Sequence, residues 1–169
     1  MPKSATLLLI RHGEKSGDPE DAMLTAAGQA RAQAYVAYFR NLSLDSQPVA
    51  APSFLIAAAD SKDSVRSRLT LTPLSQALGL PIDSAVADHD YPQLAQRLLG
   101  DARYDHATSL VCWHHGQILA LARALGAAES ALPHIWPDTV FGWLIRLEFD
   151  ATGRLAIAHA CNERLGSGV

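Results

Sequence analysis

The 169 residues are enough for one domain with a substantial core, and 49% hydrophobic with 18% charged side chains describe a folded chain, not a disordered one. A formal charge of −3 argues against nucleic acid as a partner, and two cysteines, Cys112 and Cys161, are too few for a disulfide framework. No apolar run reaches membrane-spanning length and the one near the N-terminus is too short for a secretory signal, so a cytoplasmic protein with no membrane partner is expected.

Strand-like and helix-like segments alternate along the chain, the pattern of a layered α/β fold. The apolar run over 5–10 predicts a buried first strand, which ends abruptly in Arg11-His12-Gly13. Thr25 is a good N-cap for a helix reaching Arg40, with Tyr35, Val36 and Phe39 as apolar anchors. Gly28 weakens that helix, so its presence predicts close packing there. A second strand is expected over 54–58, a helix over 65–78 stopped by Gly79, and a weaker third strand over 82–86. Asp90-Tyr91-Pro92-Gln93 looks like a capping box opening a helix to Leu99. A fourth strand follows over 109–113, then a helix over 117–125 that stops at Gly126. Two strands over 140–149 and 155–160, joined at Asp150-Ala151-Thr152-Gly153, read as a hairpin. The expected architecture is a single three-layer α/β/α sandwich over 1–169, with a mostly parallel central sheet and an antiparallel C-terminal edge.

The chemistry lies at the strand exits. The first strand leads into Arg11 and His12, the second into Asp60-Ser61-Lys62 and then Arg66 and Arg68, the fourth into His114-His115-Gly116. Parallel strands place these exits on one edge, where open α/β sheets bind ligands. An acidic chain whose exits are basic implies an anionic ligand, most simply a phosphate. Arg offers a planar fork of donors to phosphate oxygens, and His serves as nucleophile or acid/base near neutral pH.

Arg11-His12-Gly13, Leu24-Thr25 followed by Gly28, Arg66 followed by Thr70, and His115-Gly116 after a strand resemble the motifs of the histidine phosphatase superfamily, also called phosphoglycerate-mutase-like. The resemblance runs from the first strand to the last. It implies a phosphohistidine intermediate with His12 as nucleophile, and Arg11, Arg66 and His115 as the groups that bind the phosphoryl and stabilise its charge. The interval over 81–108 is too short for a lid domain, which favours a compact phosphatase acting on a small phosphorylated compound or a phosphoprotein.

The chain departs from the family's pattern in two places. The loop Glu14-Lys15-Ser16-Gly17-Asp18-Pro19 lacks the Asn that commonly touches phosphate, with Ser16 as the available substitute. The family's general acid is often a Glu after the third strand, where this chain has Asp88-His89-Asp90. Asp90 reads as a helix cap, leaving Asp88 as the candidate acid and Glu14, beside the nucleophile, as its rival. Arg68 and Lys62 read equally as surface charge or substrate contacts. His114 is expected to face away from His115 and to be structural. Trp136, Phe141 and Trp143 read as core and sheet packing. Seven histidines raise a metal-dependent hydrolase as an alternative, but neither His-x-His nor His-x-x-x-His spacing occurs, so no metal is expected. Neither Gly-x-Gly-x-x-Gly nor a P-loop is present, so no nucleotide cofactor is expected. A non-catalytic phosphate-binding or regulatory module on the same fold is the remaining alternative.

Overall fold

The computed structural model describes residues 1–165. In chain order the elements are β1 (Ala5–Arg11), α1 (Ala26–Arg40), a small hairpin of β2 (Ser43–Leu44) and β3 (Gln47–Pro48), β4 (Phe54–Ala57), α2 (Arg66–Leu78), β5 (Ile82–Asp83), α3 (Tyr91–Gly100), β6 (Thr108–Trp113), α4 (Ile118–Ala124), β7 (Trp143–Phe149) and β8 (Leu155–Asn162). The main sheet has the strand order β5-β4-β6-β1-β7-β8. The first four of these run parallel, and β7 and β8 form the antiparallel edge.

Alternation along the strands builds the three layers. Leu7 and Leu9 of β1, with Val111 and Trp113 of β6, face Leu94 and Leu98 of α3 and Ile118 and Leu121 of α4. Leu8 and Ile10, with Leu110 and Cys112, face Tyr35 and Phe39 of α1 and Leu71 and Leu74 of α2. Because β1 and β6 are covered on both faces, they read as continuous apolar runs. Each fully buried Leu or Phe on these faces contributes about 1.5–3 kcal/mol relative to exposure. Cys112 is a buried free thiol, as its apolar context predicts.

Several boundaries differ from the expected ones, each for a local reason. The third strand stops at Asp83, whose carboxylate accepts from the N–H of Ala85 (3.1 Å) and turns the chain out of the sheet. The first strand of the C-terminal hairpin starts at Trp143, not 140, because the carbonyl of Val140 is taken by Arg11 Nη1 and Trp136 Nε1, both at 2.8 Å. The capping box does not form. Asp90 sits at φ −91°, ψ 21°, at the end of a 3-10 turn over Asp88–Asp90, and its side chain makes no cap hydrogen bond to α3. The β2–β3 hairpin lacked a sequence signal: its turn puts Asp45 and Ser46 at φ 50° and 62°, positions that Asn-Gly would have announced.

Candidate active site

Strand register decides which side chains meet. β1 and β6 pair Ile10 with Cys112 and Arg11 with Trp113, and the N–H of His12 donates to the carbonyl of Trp113 at 3.1 Å, carrying the ladder one step further. His12 therefore leaves the sheet on the α1–α2 side, below Ile10, while Arg11 leaves on the α3–α4 side.

The loop after His12 is held from two sides, by α2 and by the start of α1. The N–H of Gly13 donates to Thr70 Oγ1 (2.9 Å) on α2. The carbonyl of Glu14 accepts from both the N–H (3.0 Å) and Oγ1 (3.2 Å) of Thr25, whose hydroxyl in turn accepts from Gly28 N and caps α1. The closeness predicted at Gly28 is real, since a Cβ there would meet the Glu14 carbonyl oxygen at 2.6 Å and its nitrogen at 2.8 Å. The Thr25–Gly28 and Arg66–Thr70 motifs are thus the clamps of one loop.

His12 is 2% exposed, and its Nδ1 lies 2.7 Å from the carbonyl of Gly13. A carbonyl only accepts, so Nδ1 carries the proton and Nε2 the lone pair. Burial pushes the imidazole pKa down to about 2, with neighbouring His114, Arg11 and Arg66 adding to the fall. The ring is neutral at physiological pH.

Cations surround it. Arg11 is fully buried, stacked 3.8 Å from the centroid of Phe141, and its Nη1 donates to the carbonyls of Pro137 (3.3 Å), Asp138 (2.7 Å) and Val140 (2.8 Å). Its Nε has no partner. Burial lowers its pKa to about 10, opposed by Asp138 and aided by Arg66. Arg66, at the start of α2, donates from Nη1 to the carbonyl of Asp21 (2.7 Å), and its Nε is likewise buried and unpaired. Burial lowers its pKa as well. His115 Nε2 lies 3.6 Å from Asp138 Oδ1, and burial followed by Arg11 lowers its pKa. Arg11, His12, Arg66 and His115 are therefore brought to one edge.

The remaining candidates divide. Asp88 is half-buried against β6, with its backbone carbonyl accepting from Trp113 Nε1 at 3.2 Å. Its Oδ1 is buried without a donor, and burial raises its pKa to about 6. The carboxylate of Glu14 is held by Arg31, through Nε and Nη2 at 2.7–3.1 Å. Ser16 donates to Asp21 Oδ2 (2.8 Å). Arg68 pairs with Asp60 at 2.8 Å, and Lys62 is exposed.

Two expectations are corrected. His114 was expected to be structural, but its ring meets that of His12 edge-on with centroids 5.1 Å apart, so His114 lies at the site. Strand parity contained this, since His12 and His114 are each one step past the paired Arg11–Trp113 and two past Ile10–Cys112. Phe141 is also at the site, 6.2 Å from the His12 ring, whereas Trp136 and Trp143 pack together as expected. Sequence reasoning missed Asp138 and Arg31, which lie on a loop and a helix face with no motif around them. A surface cavity of about 730 Å³ lies elsewhere, beside Tyr38, Asp45 and Arg146, whose charge is already met by Asp45 and Glu148. Among the described residues no cluster of metal-ligating side chains occurs, and no helix is long and apolar enough to cross a membrane.

No protein-family model and no curated protein matches the chain. Solved structures do. A candidate phosphohistidine phosphatase, SixA, from Agrobacterium tumefaciens is 21% identical with a TM-score of 0.56, over 94% of this chain and 99% of its own. A mycobacterial glucosyl-3-phosphoglycerate phosphatase is 13% identical with a TM-score of 0.57, over 98% and 100%. Phosphoglycerate mutase from Plasmodium falciparum is 15% identical with a TM-score of 0.58, over 97% and 95%. Near-complete coverage in both directions shows that this chain shares its fold with these phosphatases and with phosphoglycerate mutase, a phosphoglycerate-mutase-like α/β fold.

Proposed function

We propose that the chain is a phosphatase that passes the phosphoryl group of its substrate through His12. The carrying observation is a neutral imidazole whose Nδ1 proton is fixed on Gly13, leaving the Nε2 lone pair free, beside the buried Arg11 and the half-buried Arg66, each with a buried, unpaired Nε–H group. Buried donors without acceptors are costly, and a phosphoryl oxygen satisfies them. The neighbours named above act, by name, on a phosphohistidine, a glucosylated phosphoglycerate and a phosphoglycerate, and the phosphoryl group is what these have in common.

In the proposed reaction Nε2 of His12 attacks phosphorus as the bond to the leaving oxygen breaks. That oxygen takes the proton of Asp88. Arg11 Nε, Arg66 and His115 stabilise the charge on the remaining phosphoryl oxygens. Water then attacks phosphorus, its proton returns to Asp88, and the P–N bond breaks to release inorganic phosphate and the neutral ring. Substrates are small phosphorylated compounds or phosphoproteins, and no protein-bound metal enters a step.

The test is a quench experiment with nitrophenyl phosphate. A phosphoryl adduct on His12, seen by mass spectrometry at neutral or alkaline pH, is expected in the wild type and absent in His12→Asn, along with turnover. Undiminished turnover in His12→Asn would overturn the assignment of the nucleophile.

A further inference from the structure

A carboxylate sits among the cations of this site. Asp138 Oδ1 lies 3.3 Å from Lys15 Nζ, 3.4 Å from Arg11 Nη2 and 3.6 Å from His115 Nε2. These three side chains come from the end of β1, the loop after it and the loop after β6, yet they converge on one oxygen. The main chain carrying Asp138 is pinned, since Arg11 Nη1 holds the carbonyls of residues 137, 138 and 140. The side chain is held only by these contacts to its carboxylate, and at 65% exposed it has solvent to turn into about its own torsions.

We propose that Asp138 is an internal counter-ion, occupying the cations of the phosphoryl site until a phosphoryl group displaces it, and so setting the affinity of the site for oxyanions. The inference rests on the reading of this edge as a phosphoryl site. Arg11 Nη2, Lys15 and His115 cannot keep contact with a carboxylate and also close on a dianion, because the two anions would share one set of donors and repel. A rotation of Asp138 into solvent resolves the conflict without moving the loop. The device does two things. It offsets the positive charge of Arg11 and Lys15 next to His115, and it weakens the hold on the product phosphate. Asp138 is not placed to be the acid: the hydrogen bond and charge of Lys15, then His115 and Arg11, hold its carboxyl below the usual carboxylate range, so it has no proton to give at neutral pH.

The test is calorimetric titration of sulfate and inorganic phosphate onto the wild type, Asp138→Asn, Asp138→Ala and a charge-matched control, Glu20→Gln, on an exposed loop. Both Asp138 variants are expected to bind the oxyanions about three- to tenfold more tightly, the size of one partly screened contact between charges. Glu20→Gln should match the wild type, and all four proteins should melt cooperatively. Unchanged or weaker oxyanion binding by folded Asp138 variants, with His12-dependent turnover intact, overturns the counter-ion and leaves the proposed function standing. Loss of turnover confined to alkyl phosphates, at unchanged sulfate affinity, also overturns it by making Asp138 the acid. Failure of every protein to bind sulfate or phosphate overturns both readings together.

Discussion

At the scale of single residues, burial moves two titratable groups in opposite directions, and the proposed chemistry needs both. The His12 imidazole is pushed down to about 2 and stays an uncharged nucleophile. The Asp88 carboxyl is pushed up to about 6, within reach of holding a proton for a leaving oxygen. The active form of Asp88 is the protonated one, so turnover of an alkyl phosphate should fall as pH rises through about 6. The substrate's own ionisation lies in the same range, so the informative quantity is the ratio of wild type to Asp88→Asn across pH. That ratio should be about 10²–10⁴ for alkyl phosphates at low pH and should shrink above pH 6, with a much smaller ratio for nitrophenyl phosphate, whose leaving group needs no proton. A pH-independent ratio, equal for both leaving groups, would remove Asp88 from the role of acid. Stability gives a second readout with a definite sign. A carboxyl whose folded pKa is raised binds its proton more tightly in the folded state. Its burial therefore weighs against folding increasingly as pH rises from the unfolded value of about 4 to about 6, and fully above that. Asp88→Asn should accordingly raise the melting temperature at pH 7 and change it little at pH 4.

At the scale of elements, the site depends on how closely α1 approaches the loop leaving β1. Gly28 permits that approach, and Gly28→Ala places a methyl group 2.6 Å from the Glu14 carbonyl oxygen, which is backbone and cannot rotate aside. The helical propensity gained is about 1 kcal/mol, whereas overpacking costs about 1–3 kcal/mol, so net destabilisation with loss of turnover is expected. A thermal melt and an activity assay on the same preparation check this, and a more stable, fully active Gly28→Ala would show that the loop yields freely. Gly28 and Thr25 were legible because a glycine inside a helix pattern and a hydroxyl before it are local signals. So were Arg11, His12, Arg66 and His115, each at the end of a strongly apolar run or the start of the helix after one. His114 was misread because strand parity was compared with His115 and not with His12 on the neighbouring strand. The Arg31 link was invisible: its guanidinium joins Glu14 to the buried Glu163 (2.9 Å), 132 positions away, and no periodicity encodes a contact of that kind. Asp138 was invisible too, since its loop takes its shape from carbonyls that point at Arg11.

At the scale of the whole molecule, the parallel strands β4, β6 and β1 act as a device for gathering charge. Their exits collect arginines that repel one another, and Arg66 contributes to the depressed pKa of Arg11. Asp138 opposes part of that repulsion, and a bound oxyanion should oppose more of it while joining segments that are remote in the chain. Any ligand that binds the folded protein alone stabilises it, by about 2.7 kcal/mol at one hundred times its dissociation constant. For a chain of this size each kcal/mol raises the melting temperature by about 2–4 °C, so inorganic phosphate, sulfate or vanadate at that excess should raise it by roughly 5–10 °C. The two arginines of α2 separate a specific site from general ionic effects. Arg66 has a buried Nε with no partner, whereas Arg68 is half-exposed and already paired with Asp60. Arg66→Ala should lose most of the oxyanion-induced rise, and Arg68→Ala should keep it. Sodium chloride at equal ionic strength should produce little of it, because screening acts on exposed charges and not on a coordinated anion. Equal responses from the two arginine variants, or a chloride response as large as that to phosphate, would mean that the strand exits carry charge without forming a common anion site.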